Sequence, residues 1–222
     1  MPVAPPERND APSNEGHPWW TLIGPGFAAI IGLFMLTAVY RADLISPVQM
    51  GLGLSGPEFL MMGIVAYLIA AAIAFPLGFR LGVRFLMAVT LPAIGVMFIG
   101  VLLIAFSGGA GMFLVGRVLT GLGAGAAIGA TTALVRGIKE QRNIVAAVVA
   151  ALGVLAVVVA PFINQVISGA LSFRWTFLAA VPFLFAALIA SAVIGIVQFV
   201  VAKRPAQPGP YGMPYPSPGP QR

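Results

Sequence analysis

Six long apolar runs limit what this chain can fold into more than any other feature of its sequence. They cover about residues 19–40, 57–79, 85–106, 111–135, 143–169 and 174–202. Each reaches the roughly 20 residues that a helix needs to cross the hydrocarbon core of a bilayer. The runs are continuously apolar and do not alternate, which predicts helices and not a barrel. Only 8% of the residues are charged, against about 25% in soluble domains. So few charges cannot cover a water-facing surface, and lipid must be the main solvent. The expected fold class is an all-α polytopic membrane protein with six transmembrane helices.

The net charge is +6, but the basic residues stand singly between apolar runs, which argues against nucleic acid as a partner. Their distribution gives an orientation instead. With the N-terminus inside, the inner links and the flank of the sixth span hold Arg80, Arg84, Arg136, Lys139, Arg142, Lys203 and Arg204. The outer loops hold only Arg41 and Arg174. Seven against two follows the positive-inside bias and predicts both termini in the cytoplasm of a cell with this protein in its cytoplasmic membrane. Residues 1–18 are polar and Pro-rich, lack a short basic segment before the apolar run, and read as a disordered tail before an uncleaved anchor. Residues 203–222 are rich in Pro, Gly and Tyr. This composition favours polyproline II or coil, either as a docking tail or, the preferred reading, as a solubilising tail. Residues 41–56 read as a loop.

Several chemistries are excluded. There is no cysteine, and the one histidine, His17, lies in the polar tail. Disulfides, thiolate metal sites and haem ligation are not expected, nor is any cofactor. No span holds paired aspartates or a Ser/His pair, so an enzyme is not expected. The polar candidates for a solute path are Asn164, Gln165, Gln49 and Tyr67. Pro161 and Pro25 are expected to kink spans five and one, with a neighbouring amide satisfying the carbonyl that Pro161 frees.

The fourth span carries the most informative motif, Gly116-Arg117-Val-Leu-Thr120-Gly121-Leu-Gly123-Ala-Gly125-Ala-Ala-Ile-Gly129. Gly121, Gly125 and Gly129 recur every fourth residue and so share one helix face, where another helix can approach closely. Arg117 lies roughly two turns inside the span. A charge at that depth either marks a functional site or snorkels to the outer interface. If it turns inward it requires a partner, with Asp43 expected and Glu58, at the outer start of span two, as the alternative.

The stretch from Gly116 to Gly125 resembles the fourth-helix motif of the major facilitator superfamily, with Thr120 where members usually carry glutamine. Leu77, Arg80, Gly82 and Arg84 resemble the signature loop of that superfamily, with Phe75 and Phe79 in place of its glycine and aspartate. Phe173-Arg174-Trp175-Thr-Phe-Leu-Ala-Ala-Val-Pro182 is similar to the opening of the sixth helix in multidrug-type members. The resemblance covers residues 19–202, one N-terminal six-helix half. It implies small-molecule transport across the cytoplasmic membrane by a homodimer, or together with another membrane protein. In the family, the signature-loop aspartate helps latch two halves together, and here it is missing. Only the proline of the fifth-helix pattern of antiporters remains, as Pro161, and no carboxylate stands at midplane. These departures keep a second expectation open, a non-transporting subunit or scaffold of a larger membrane complex.

Overall fold

The computed structural model describes residues 19–43, 46–138 and 142–202. The two tails, Lys139 and Glu140 lie outside the described residues. The protein is an all-α polytopic membrane protein. Six helical segments are long and apolar enough to cross a bilayer: Trp19–Thr37, Gly56–Gly82, Leu86–Ala105, Ala110–Gly137, Arg142–Ala170 and Phe173–Val197. The helices are α1 (Ile23–Thr37), α2 (Pro47–Leu52), α3 (Gly56–Phe59), α4 (Ala66–Gly82), α5 (Leu86–Ala105), α6 (Ala110–Gly137), α7 (Arg142–Ala170), α8 (Phe173–Leu178) and α9 (Val181–Ala202). A 3₁₀ turn, Trp19–Leu22, leads into α1, and a π-helical turn, Leu60–Val65, joins α3 to α4.

The loop expected over 41–56 holds one short helix, α2, and ends where α3 opens the second span. Ser46 caps α2 by accepting the Gln49 backbone N–H at 3.2 Å, with Pro47 in the first turn and Gly53 closing it at φ 64°. Proline suits a first turn because its missing N–H would have no partner there, and the left-handed closing position favours glycine. Ser55 and Glu58 form a reciprocal capping box around the start of α3. The sixth span is likewise broken, between α8 and α9. Pro182 causes the break: it has no N–H to donate and its ring crowds the carbonyl four residues earlier. Pro25 sits where the 3₁₀ turn passes into α1, so it interrupts little of that helix.

Helix α6 is the centre of the bundle, with 61% of its apolar window buried, against 11% for α7. The reason is residue size, because α6 presents small residues on three sides. Gly121, Gly125 and Gly129 lie against the backbone of α4 at Tyr67, Ala71 and Phe75. The two helices run parallel, and α4 answers with Gly78 and Gly82 against Ala126 and Ala130. A second side of α6 meets α5, where a Cβ on Gly100 would stand 2.7 Å from Thr120 N and 2.8 Å from Gly116 O. On a third side Gly32 of α1 faces Ala124, where an added Cβ would come within 2.6 Å of its Cβ. Backbones this close gain dispersion contacts that lipid cannot supply, which drives helix association where water is absent. A small apolar cluster of Leu22, Leu134 and Ile138, with Leu86 and Val145 against it, joins the start of α1, α5 and α7 to the end of α6.

Candidate functional site

Arg117 is completely buried. Its Nε donates to the Gly63 carbonyl at 2.7 Å, Nη1 to the Met35 carbonyl at 2.8 Å, and Nη2 to the Leu36 carbonyl at 3.2 Å. Each acceptor is free for a local reason. Met35 and Leu36 lie in the last turn of α1, whose carbonyls have no amide ahead of them in the helix. Gly63 lies in the π turn of span two, where the ordinary helical hydrogen-bond ladder is interrupted. The C-terminal end of α1 also carries the negative pole of its helix dipole, which partly balances the guanidinium. The Tyr67 ring completes the nest, with its centroid 4.4 Å from the Arg117 carbon. Its hydroxyl donates to the Gly32 carbonyl at 2.6 Å and ties α4 to α1. Tyr67 is therefore a brace within the core, with its hydroxyl spent on α1.

The expected ion pair of Arg117 with Asp43 or Glu58 is not formed. Asp43 stands 3.5 Å from Arg41 in the loop after α1. Glu58 is exposed, and its carboxylate accepts the Ser55 amide at 2.9 Å and the Ser55 hydroxyl at 2.7 Å. Backbone carbonyls replace the carboxylate because two helix irregularities deliver three of them to one point. Gln49 lies on α2 in the connecting segment and is half-buried.

A second polar node gathers around span five. Pro161 frees the carbonyl of Val157, four residues earlier, and the Thr37 hydroxyl donates to it at 2.8 Å. The donor is thus a threonine of span one, not the neighbouring amides. Asn164 instead links three elements: its amide nitrogen donates to the Tyr40 carbonyl at 2.7 Å, and its oxygen accepts the Thr176 hydroxyl at 2.6 Å. Asn164 is fully buried, while Gln165 beside it is half-buried. Asn164→Leu leaves the Tyr40 carbonyl and the Thr176 hydroxyl without this partner, at a cost of about 1–3 kcal/mol for each buried group. We expect the thermal midpoint of the purified variant to fall by several degrees and Gln165→Leu to leave it unchanged; an unshifted Asn164→Leu midpoint would show that the node is dispensable.

Near these nodes α7 touches α1, where Gly153 meets Leu33 and Thr37 meets Val157. A cleft opens on each flank of α1. One, of about 240 Å³, lies toward α8 and α9 and is lined by Phe27, Phe34, Ile163 and Phe183. The other, of about 280 Å³, lies between α1, α6 and α7 and is lined by Ala29, Leu33, Ile128, Thr131, Thr132 and Ala150. Both threonine hydroxyls there donate to carbonyls of their own helix at 2.8 Å. That leaves the cleft surface almost wholly apolar.

The residues of the signature-loop resemblance occupy the far end of the bundle. Leu77, Arg80 and Arg84 are exposed, and Gly82 ends α4 against Ala130. Phe79, at the aspartate position of the family loop, lies under the guanidinium of Arg136 at 4.8 Å and stacks with Phe75 at 6.3 Å. Arg174 donates to the Ser107 carbonyl at 3.0 Å, while Phe173 packs on Gly51. Gly32, Gly78 and Gly100, which complete the close approaches, carry no signal of their own in the sequence: none belongs to a run of three glycines at four-residue spacing like that of α6. No known protein-family model matches the chain, and no curated protein matches it either.

Proposed function

We propose that this protein moves a small apolar molecule across the cytoplasmic membrane as a homo-oligomer, in the manner of one half of a major facilitator transporter. The cleft between α1, α6 and α7 carries this reading. It is flanked by the least buried span, α7, and its threonines spend their hydroxyls on their own helix, so the surface offered to a cargo is apolar. Binding sites of this kind sit preferentially between helices of bundles. The basic links favour both termini in the cytoplasm, and reporter fusions at residues 18 and 205 should both give a cytoplasmic signal.

The test is uptake of a lipophilic fluorescent dye by proteoliposomes, with the mass of the protein measured in lipid. Transport by a dimer supports the reading, and Ile128→Trp, which fills the cleft, should abolish uptake while leaving the mass of the assembly unchanged. A monomer without uptake, or stoichiometric recovery with an unrelated complex, supports the second reading, a non-transporting membrane subunit. One observation favours that alternative: Arg117 donates to three carbonyls, and neither described carboxylate stands inside the bundle to relay a proton.

A further inference from the structure

Spans two and four end, and spans three and five begin, at one face of the bundle. The packing of Gly82 on Ala130 and of Arg136 over Phe79 holds these ends together. Arg80, Arg84, Arg136 and Arg142 are all exposed there. The two described carboxylates, Asp43 and Glu58, are engaged at the opposite end, so none of the four arginines has an ion-pair partner among the described residues. A groove of about 390 Å³ opens beside them, lined by Gly82, Arg84, Phe85, Met87 and Leu134. The groove also borders the first turn of α5, which carries no side-chain cap.

We propose that this groove holds the headgroup phosphate of an anionic membrane phospholipid, with Arg84 as the main contact and Arg80 and Arg136 beside it. Charge complementarity selects an anion, since the two links at this face carry Arg80, Arg84, Arg136, Lys139 and Arg142 against Glu140 alone. The neighbours of Arg84 select a lipid as its source. Val83 and Phe85 flank it at 64% and 61% exposure. A free phosphate ion would give these two side chains nothing to pack on, whereas the upper acyl chain of a lipid covers them while its phosphate meets the arginine. Arg136, held over the Phe79 ring at 4.8 Å, lies at the same end of the bundle.

The experiment is native mass spectrometry of the full chain in detergent, titrated with phosphatidylglycerol or phosphatidylcholine. Phosphatidylglycerol should bind about tenfold more tightly, and Arg84→Gln should lower its affinity about fivefold, as expected for one basic residue near an anionic surface. Arg80→Gln should add to the loss, while Arg41→Gln at the opposite end should leave binding unchanged. These side chains are exposed, so the variants should keep the wild-type thermal midpoint. Equal affinity for the two lipids, or an unchanged affinity in Arg84→Gln, overturns the proposal. Displacement of the lipid by millimolar inorganic phosphate alone also overturns it, and would identify a soluble phosphate as the ligand.

Discussion

Gly125→Leu should remove the folded protein from the membrane fraction. A Cβ at this position would drive into the Ala71 carbonyl and stand 2.7 Å from the Ala71 Cα. Those are backbone atoms of a parallel helix and cannot rotate away as a side-chain end could. Overpacking typically costs about 1–3 kcal/mol, and more where the neighbour is rigid. The cost falls on the α4–α6 contact, which holds the central helix in place. We expect the yield of monodisperse protein to drop by about tenfold, as a loss of 1.4 kcal/mol or more would produce. Gly95→Leu is the matched comparison, since a Cβ there meets nothing within 4 Å. Normal yield and mass for Gly125→Leu would mean that α4 and α6 do not meet along this stripe.

Arg117→Ala should be the most damaging change of a single polar residue. It leaves the carbonyls of Gly63, Met35 and Leu36 buried without this donor and opens a cavity beside Tyr67. Each unsatisfied group costs about 1–3 kcal/mol, so the total is on the order of 3 kcal/mol or more. The thermal midpoint of the purified protein measures it. Arg117→Lys should recover part of the loss, because an ammonium keeps the charge but cannot direct a planar fork at three separate acceptors. Asp43→Ala provides the sharper check. An ion pair would make the double variant non-additive, but the carbonyl nest makes the two effects add, with Asp43→Ala alone costing at most about 1 kcal/mol. Non-additivity beyond 0.5 kcal/mol would restore the ion pair and contradict the nest.

These two residues separate what could be read in one dimension from what could not. The spacing of Gly121, Gly125 and Gly129 places them on one helix face whatever surrounds it, because the helical repeat is local. Arg117 declared itself by its depth in an apolar run. Neither could name its partner. The carbonyls that hold Arg117 belong to the backbone, which leaves no mark in residue types. They become available only because α1 stops at Thr37 and span two opens a π turn at Leu60–Val65. Pro161 shows the same division: its identity announces a freed carbonyl, but Thr37 lies 120 residues away and meets it only through packing. The caps of α2 and α3, by contrast, are written in residue types, Ser46-Pro47 and Ser55 with Glu58, although the segment over 41–56 reads as a loop. Their capping chemistry was masked by a composition of prolines and glycines that also suits a loop.

Lipid as the solvent and six helical crossings can be read from the apolar runs alone, because a bilayer demands about 20 apolar residues per crossing and internally satisfied backbone groups. The glycine spacing likewise marks the face of the fourth helix that is free of side chains. Packing in three dimensions makes this helix the centre of the bundle, holds a buried arginine by carbonyls in place of a carboxylate, and leaves a cleft on each side of α1. The physical reason is that apolar runs of similar hydropathy are interchangeable to the membrane. Their arrangement rests on close contacts between backbones and on a few long-range hydrogen bonds, and these exist only once the helices have met.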